Sequence, residues 1–398
     1  MTAGGLRSWL GSCSSRPRFL ALAAFLFAGD LKADPRLAWL PVDLTLLTGS
    51  LLSGVLVLRW ARGARLRSLQ PLVLLGGWYL TFLPGLAQVA PTDYAFQKVA
   101  TLGTFTLLSA LAPLFLVQDR ADLARLANAL AYFCLAITLA GLLGGVRSDQ
   151  TVERLQAFGA GTISLGRATG FLFIRAAAAL GEGAPWPGLN AGFLALAGVT
   201  ALFSGARGPI LAALAVLVLL FALGRGRSGR SLRPLLGAGL LFLGVLAAVL
   251  PLAPRGSLLR VEAFLSGRFG NSEAYRLNAL QESWRLVGTA PWGVGWGGFA
   301  TQVDPERGVG RQYPHNLMAE VTLESGWACG AATLLVLVAA AVAAWSRTGS
   351  PGGRLVFAGL LFYAINAMVS GDLNDNRPLF MFLGSAFLGL DLRPEEAT

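Results

Sequence analysis

The chain is a series of long apolar runs cut by short polar turns. Spanning a bilayer takes roughly 17–25 apolar residues, and about twelve runs meet or approach that length. They lie at 19–31, 39–58, 71–90, 98–117, 124–146, 160–180, 188–204, 208–223, 234–251, 317–345, 354–370 and 378–391. The pattern predicts an all-α polytopic membrane fold, a single integral membrane domain over 1–398 with no internal repeat. The first run is short. Arg7, Arg16 and Arg18 ahead of Phe19–Ala28 also resemble the charged and apolar regions of a signal peptide. The spans that follow favour a first membrane segment. The tenth run is longer than a span needs, so its N-terminal turns are expected to project beyond the membrane.

Loop charge orients these runs. Arg59, Arg62, Arg65 and Arg67 follow the second run, Arg225, Arg227, Arg230 and Arg233 the eighth, and Arg347 and Arg354 the tenth. All are even-numbered exits, on the same side as Arg7, Arg16 and Arg18. Positive loops stay in the cytoplasm. Both ends are therefore expected inside, and residues 252–316 form a large extracytoplasmic loop. Gly205-Ala206-Arg207 and Gly371–Arg377 fall on that outer side too.

Composition agrees. Of 398 residues 55% are hydrophobic and 13% charged, against about 25% charged in soluble domains. The net charge of +11 sits in short loops, the pattern of orientation signals and of contact with anionic membrane lipids rather than nucleic acid. Cys13, Cys134 and Cys329 have no paired spacing and read as small buried hydrophobes. With one histidine and no acidic cluster, neither a bound metal nor a cofactor is expected.

One stretch, Ser272–Gly326, differs from the rest: it is long, polar and glycine-rich and holds that histidine, His315. Arg276, Leu280 and Trp284 are spaced to share one helical face, in a helix that should end before Gly288 or Pro291. PWGVGWGGF (291–299) follows. Its glycines permit left-handed backbone and close approach, and its two tryptophans suit a membrane–water interface. Its amides can cradle phosphate, although no strand precedes it and no Lys-Ser/Thr follows. In Pro314-His315-Asn316, Asn316 is a candidate N-cap that sets His315 at the positive end of a helix. Glu320 and Glu324 lie on one face of that helix.

These pieces in this order resemble the bacterial O-antigen ligase and O-antigen polymerase superfamily. The resemblance rests on Arg276 and Trp284, then PWGVGWGGF, then PHNLMAEVTLESG (314–326), with FSGARGPI (203–210) similar to an "SRG" element. It covers roughly 160–390. Gly205-Ala206 stand as an insertion in that element, and no Asn-Pro follows GRATGF in the 160–180 run. The resemblance implies an all-helical fold of the C-type membrane glycosyltransferase kind in the bacterial cytoplasmic (inner) membrane. It implies metal-independent, inverting transfer of a glycan from undecaprenyl diphosphate to a glycan or lipid A-core acceptor. The site would face the periplasm or cell exterior. His315, Arg207 and Arg276 would be catalytic; Arg167, Asn316, Glu324, Trp284 and Gly295 would bind substrate. Ligase, polymerase and protein O-glycosylating enzymes share these motifs.

Several residues carry a blander reading beside the chemical one. Arg207 can hold diphosphate oxygens bidentately or snorkel to the outer interface. Arg276 can do the same or be a solvated charge. His315 can transfer a proton near neutral pH or only cap a helix. Glu324 can orient a partner or pair with an arginine. Arg167 and Arg175, eight residues apart, fall roughly on one helical face. Asp372, Asp375 and Arg377 can close over the site, but a solvated turn is the simpler expectation. A transporter or flippase for an anionic lipid or solute would share about twelve helices and buried arginines. The polar outer loop argues against it, because transport sites sit near the bilayer midplane.

Overall fold

A computed structural model describes residues 17–388 apart from residues 65, 67, 145, 150–151, 184–185, 225–232, 254–255, 257, 260–261, 264–265, 268–269 and 304–310. Arg7, Cys13, Arg16, Arg65, Arg67, Arg225, Arg227 and Arg230 lie outside the described residues.

Helices form where the apolar runs predict them. The first half comprises α1 (Pro17–Leu31), α2 (Leu44–Ala61), α3 (Gln70–Leu80), α4 (Asp93–Leu116), α5 (Arg120–Leu143), α6 (Thr162–Gly181) and α7 (Pro187–Ser204). Then come α8 (Arg207–Gly224), α9 (Arg233–Val249), α10 (Asn271–Thr289), α11 (Gly298–Val303), α12 (Leu317–Ser325), α13 (Trp327–Trp345), α14 (Pro351–Ala367) and α15 (Arg377–Ala386). Six of them (α2, α4, α5, α6, α7 and α13) are long and apolar enough to cross a membrane, and Arg207–Leu220 and Gly239–Val249 are shorter apolar stretches.

Three features depart from the sequence expectation. A two-stranded hairpin, β1 (Val146–Asp149) antiparallel to β2 (Val152–Leu155), follows α5 where only helix and loop are expected. The 71–90 run breaks after α3, because residues 81–90 pass beneath the glycine-rich loop. The 317–345 run is two helices, broken at Gly326, whose φ of +89° is a conformation that helical residues do not adopt. Nearly every residue of its first part, α12, is buried within the protein.

Helix α6 is central and packs against α5, α7, α8 and α14. Gly166 and Gly170 let Ala206, Pro209 and Phe362 approach its backbone. Contacts sort the loops into two ends. At one, Arg18 pairs with Asp122 at 2.5 Å, Arg354 with Glu182 at 2.8 Å, and Arg347 donates to the Leu388 carbonyl at 2.9 Å. This is the arginine-rich side. The opposite end gathers the α7–α8 corner, α10, the start of α12 and the turn from α14 to α15.

Candidate functional site at the end opposite the arginine-rich loops

The α7–α8 corner is built by Ser204-Gly205-Ala206. Gly205 caps α7 at φ +66°, the Ala206 amide donates to Ser204 Oγ at 3.2 Å, and Arg207 opens α8. The two extra residues of the sequence element are thus the reversal itself. Helix α10 runs to Thr289, as the Gly288–Pro291 stop signal predicts, and presents Arg276. The Arg207 Nη1–Glu273 Oε1 pair, 3.3 Å apart and partly exposed, ties the two elements together.

His315 sits directly before α12, with φ +57°. Asn316 is the N-cap and accepts the Ala319 amide at 2.9 Å. Its amide nitrogen also donates to the Met368 carbonyl at 2.9 Å. The left-handed backbone at His315 costs about 1–2 kcal/mol, which the cap and its tether help to offset. The imidazole lies 4.4 Å from the Tyr313 ring and 6.0 Å, edge-on, from Tyr275. Its Nδ1 is buried without a hydrogen-bond partner.

The arginines converge on the end of α14. Arg276 Nη1 donates to the Val369 carbonyl at 3.4 Å, and Arg167 Nη2 to the Ser370 carbonyl at 2.8 Å. Next to Arg207, Gly208 brings the α8 backbone against the Val369 side chain. With Asn316 on Met368, the segment Met368–Gly371 is touched from α6, α8, α10 and α12. Arg167, Arg207, Arg276, His315 and Asn316 are therefore brought together.

Trp284, Gly295 and Glu324 are placed elsewhere. Trp284 lies two turns further along α10 with its ring 6.3 Å from that of Trp327, both partly exposed. Glu324 is fully buried and pairs with Lys98 rather than with an arginine. Gly295 lies against the Gln88 carbonyl behind α12. The loop amides are turned to protein: Val294 donates to the Leu323 carbonyl at 2.8 Å, Trp296 to Gly85 at 3.1 Å and Gly298 to Gly295 at 2.9 Å. Trp292 is 76% exposed, but Trp296 is 0% exposed with its indole N–H on the Phe82 carbonyl. PWGVGWGGF thus forms a packing wedge instead of a phosphate cradle, and only its first tryptophan is placed as interface anchors are.

The turn after α14 is largely buried, with Asp375 left exposed. Asp372 and Leu373 are buried. Arg311 pairs with Asp372 at 3.0 Å and with Asp375 at 2.6 Å. Arg175, by contrast, reaches Asn128 on α5 at 3.4 Å, away from Arg167's partners.

Electrostatics follow from this packing. Burial, then Arg276, pushes the His315 pKa down to about 4; Arg311 adds to this and Asp375 opposes it. His315 is therefore neutral at pH 7. Burial works against the charge of Arg311, but Asp372 and Asp375 hold its pKa above the ordinary arginine value. Burial, then Asp375, raises Tyr313 to about 12. Burial, then Asp375, also raises Asp372. Reading the sequence alone misses Arg311, Tyr275, Tyr313 and Lys98. Lys98 does leave a trace, as one of only two lysines in the chain.

Residues 192–334 match the family model described as O-Antigen ligase. The window holds Arg207, Arg276, Trp284, Gly295, His315, Asn316 and Glu324, and leaves Arg167 and the Met368–Asp375 segment outside. No curated protein matches the chain. The match points to a glycosyltransferase-like membrane protein acting in polysaccharide assembly. The match spans a little over a third of the chain, and it supports a likeness of this region to the O-antigen ligase and polymerase superfamily.

Proposed function

We propose that the chain transfers a glycan from undecaprenyl diphosphate to a sugar hydroxyl at the outer face of the bacterial cytoplasmic membrane. The observation that carries this reading is the gathering of Arg167, Arg276 and Asn316 on Met368–Gly371, with Arg207 tied to α10 through Glu273 and neutral His315 next to Asn316. The hydrogen bonds of Arg276 and Arg167 to Val369 and Ser370 go to carbonyls, which do not cancel a guanidinium charge. Arginine matches diphosphate oxygens bidentately. The donor's prenyl chain would lie along the apolar spans.

The acceptor oxygen attacks the anomeric carbon as the bond from that carbon to the diphosphate oxygen breaks, with inversion. Undecaprenyl diphosphate leaves with the bonding pair, and the hydroxyl proton passes to the imidazole. Arg207 and Arg276 stabilise the negative charge that grows on the leaving group. In the empty site His315 is a weak base. Diphosphate bound beside Arg276 cancels part of the charge that lowers its pKa, so basicity rises as the donor arrives. The arginines supply the charge stabilisation without a metal.

The test is glycan transfer in membranes supplied with lipid-linked oligosaccharide, comparing wild type with His315→Ala at matched expression. A loss of about 10²–10⁴-fold is expected, with donor binding retained. Unchanged transfer in the variant would reduce His315 to a helix-end residue and remove the proposed base.

A further inference from the structure

Away from the open face, a buried charge cluster joins α4 to the back of the site. Lys98 Nζ donates to Glu324 Oε2 at 2.5 Å and lies 2.5 Å from Glu320 Oε1, with all three side chains fully buried. The glutamates are one turn apart on α12, the helix that His315 precedes. Glu320 Oε2 in turn accepts the Leu373 amide at 3.0 Å. Helix α4 itself holds that turn at three further points. Tyr94 donates to Asp372 at 3.3 Å, Asn374 Nδ2 donates to the Lys98 carbonyl at 2.9 Å, and Thr106 donates to Asn374 Oδ1 at 2.6 Å. Residues 372–374 directly follow Met368–Gly371, whose carbonyls hold Asn316, Arg276 and Arg167.

We infer that Lys98 is a positioning residue for the transfer site: through Glu320 and the Leu373 amide it fixes Met368–Gly371, and so the placement of Arg276 and Arg167 relative to His315. Well-packed apolar side chains can serve stability as well as a buried ion cluster does, so the value of this one is geometric. The inference rests on the proposed function for its catalytic consequence, and its geometric content is testable without it.

The chain has one histidine, so acylation of the neutral imidazole by diethyl pyrocarbonate, followed by the ultraviolet absorbance of carbethoxyhistidine, which acylated amines and phenols do not share, reads His315 alone. The groups facing the ring are Tyr275, Tyr313, Arg276, Arg311 and Asp375. In Lys98→Met the segment loosens, Arg276 and Arg311 drift and water enters. Each change makes the protonated ring less costly, so the acylation midpoint moves up from about 4 toward the ordinary value near 6.5.

Donor kcat/KM falls about 10²-fold in Lys98→Met, the scale of a small misplacement of catalytic groups. It falls by less than about threefold when Arg276→Ala is already present, because residues that act through one another are not additive. Asn374→Ala leaves every charge in place, is the variant to use should Lys98→Met fail to fold, and shifts both readouts in the same direction by less. Fully additive losses, or an unmoved midpoint in folded Lys98→Met and Asn374→Ala, would overturn the inference. If the wild type transfers no glycan, the functional reading fails and the acylation midpoint still decides the positioning.

Discussion

Gly295→Ala separates a wedge from a phosphate cradle. Gly295 has φ +84°, and an added Cβ would lie 1.5 Å from the Gln88 carbonyl oxygen and 2.3 Å from its carbon. Ordinary contact begins near 3.4 Å, so the loop must retreat by about 2 Å. Two hydrogen bonds flank the position, from the Trp296 amide to Gly85 at 3.1 Å and from the Ala90 amide to Trp296 at 3.2 Å. A retreat of that size breaks both, at about 1–2 kcal/mol each once their buried groups are orphaned. The left-handed backbone adds about 1–2 kcal/mol for a residue with a Cβ. The sum, about 3–6 kcal/mol, places the change among the severe point mutations. Melting of purified protein in detergent should drop by about 4–7 °C, at about 1.2 °C per kcal/mol for a chain of this size. A Gly295→Ala protein that melts within a degree of wild type, yet binds lipid-linked donor weakly, would refute the wedge and restore the cradle.

Two further outcomes follow from the site. In the free enzyme the acidic limb of kcat/KM against pH should fall near 4 rather than 6.5, because burial and Arg276 lower the His315 pKa; Arg276→Ala should move that limb upward, and a limb already at 6.5 in wild type would contradict the packing around His315. Arg276→Lys should lower donor kcat/KM by about tenfold or more, since an ammonium cannot grip two phosphate oxygens at once, and steady-state transfer against donor concentration reads it directly.

The helices were legible because lipid-length apolar runs leave little choice: a backbone in hydrocarbon must satisfy its own hydrogen bonds. The cap at Asn316 and the stop of α10 were legible because they are local, set by residues three or four apart. Glu320 and Glu324 could be placed on one face but not given their partner. Lys98 comes from more than 200 positions away and sat unmarked at the edge of an apolar run. Separations of 52, 93 and 203 positions from Asn316, Arg276 and Arg167 hid the Met368–Gly371 segment. Its role lies in backbone carbonyls, which every sequence has, and it falls beyond the matched family window. Trp296 and Trp292 look alike in sequence; only the turn between them decides that one faces outward and the other fills the core. The break at Gly326 was hidden by its apolar surroundings, because hydropathy does not register a left-handed residue.

Arginines near His315 differ in what answers their charge, and that difference bears on ligand choice. Arg311 is held by two carboxylates, Asp372 and Asp375, so its charge is answered inside the protein and its work is to brace the turn. Arg276 spends a hydrogen bond on the Val369 carbonyl, a fixed dipole that orients a guanidinium without neutralising it. Arg207 meets Glu273 at a partly exposed 3.3 Å, the kind of pairing that contributes little in water and that a diphosphate can outcompete. A neutral sugar gains little from such an arrangement, and a carboxylate would use only one arginine well. A diphosphate has oxygens enough for both, and the single neutral imidazole between the two tyrosine rings is left free for the acceptor. On the proposed function, then, donor and acceptor enter different parts of one small site, the donor diphosphate among arginines set by backbone and the acceptor hydroxyl against His315, with Met368–Gly371 fixing the offset between them.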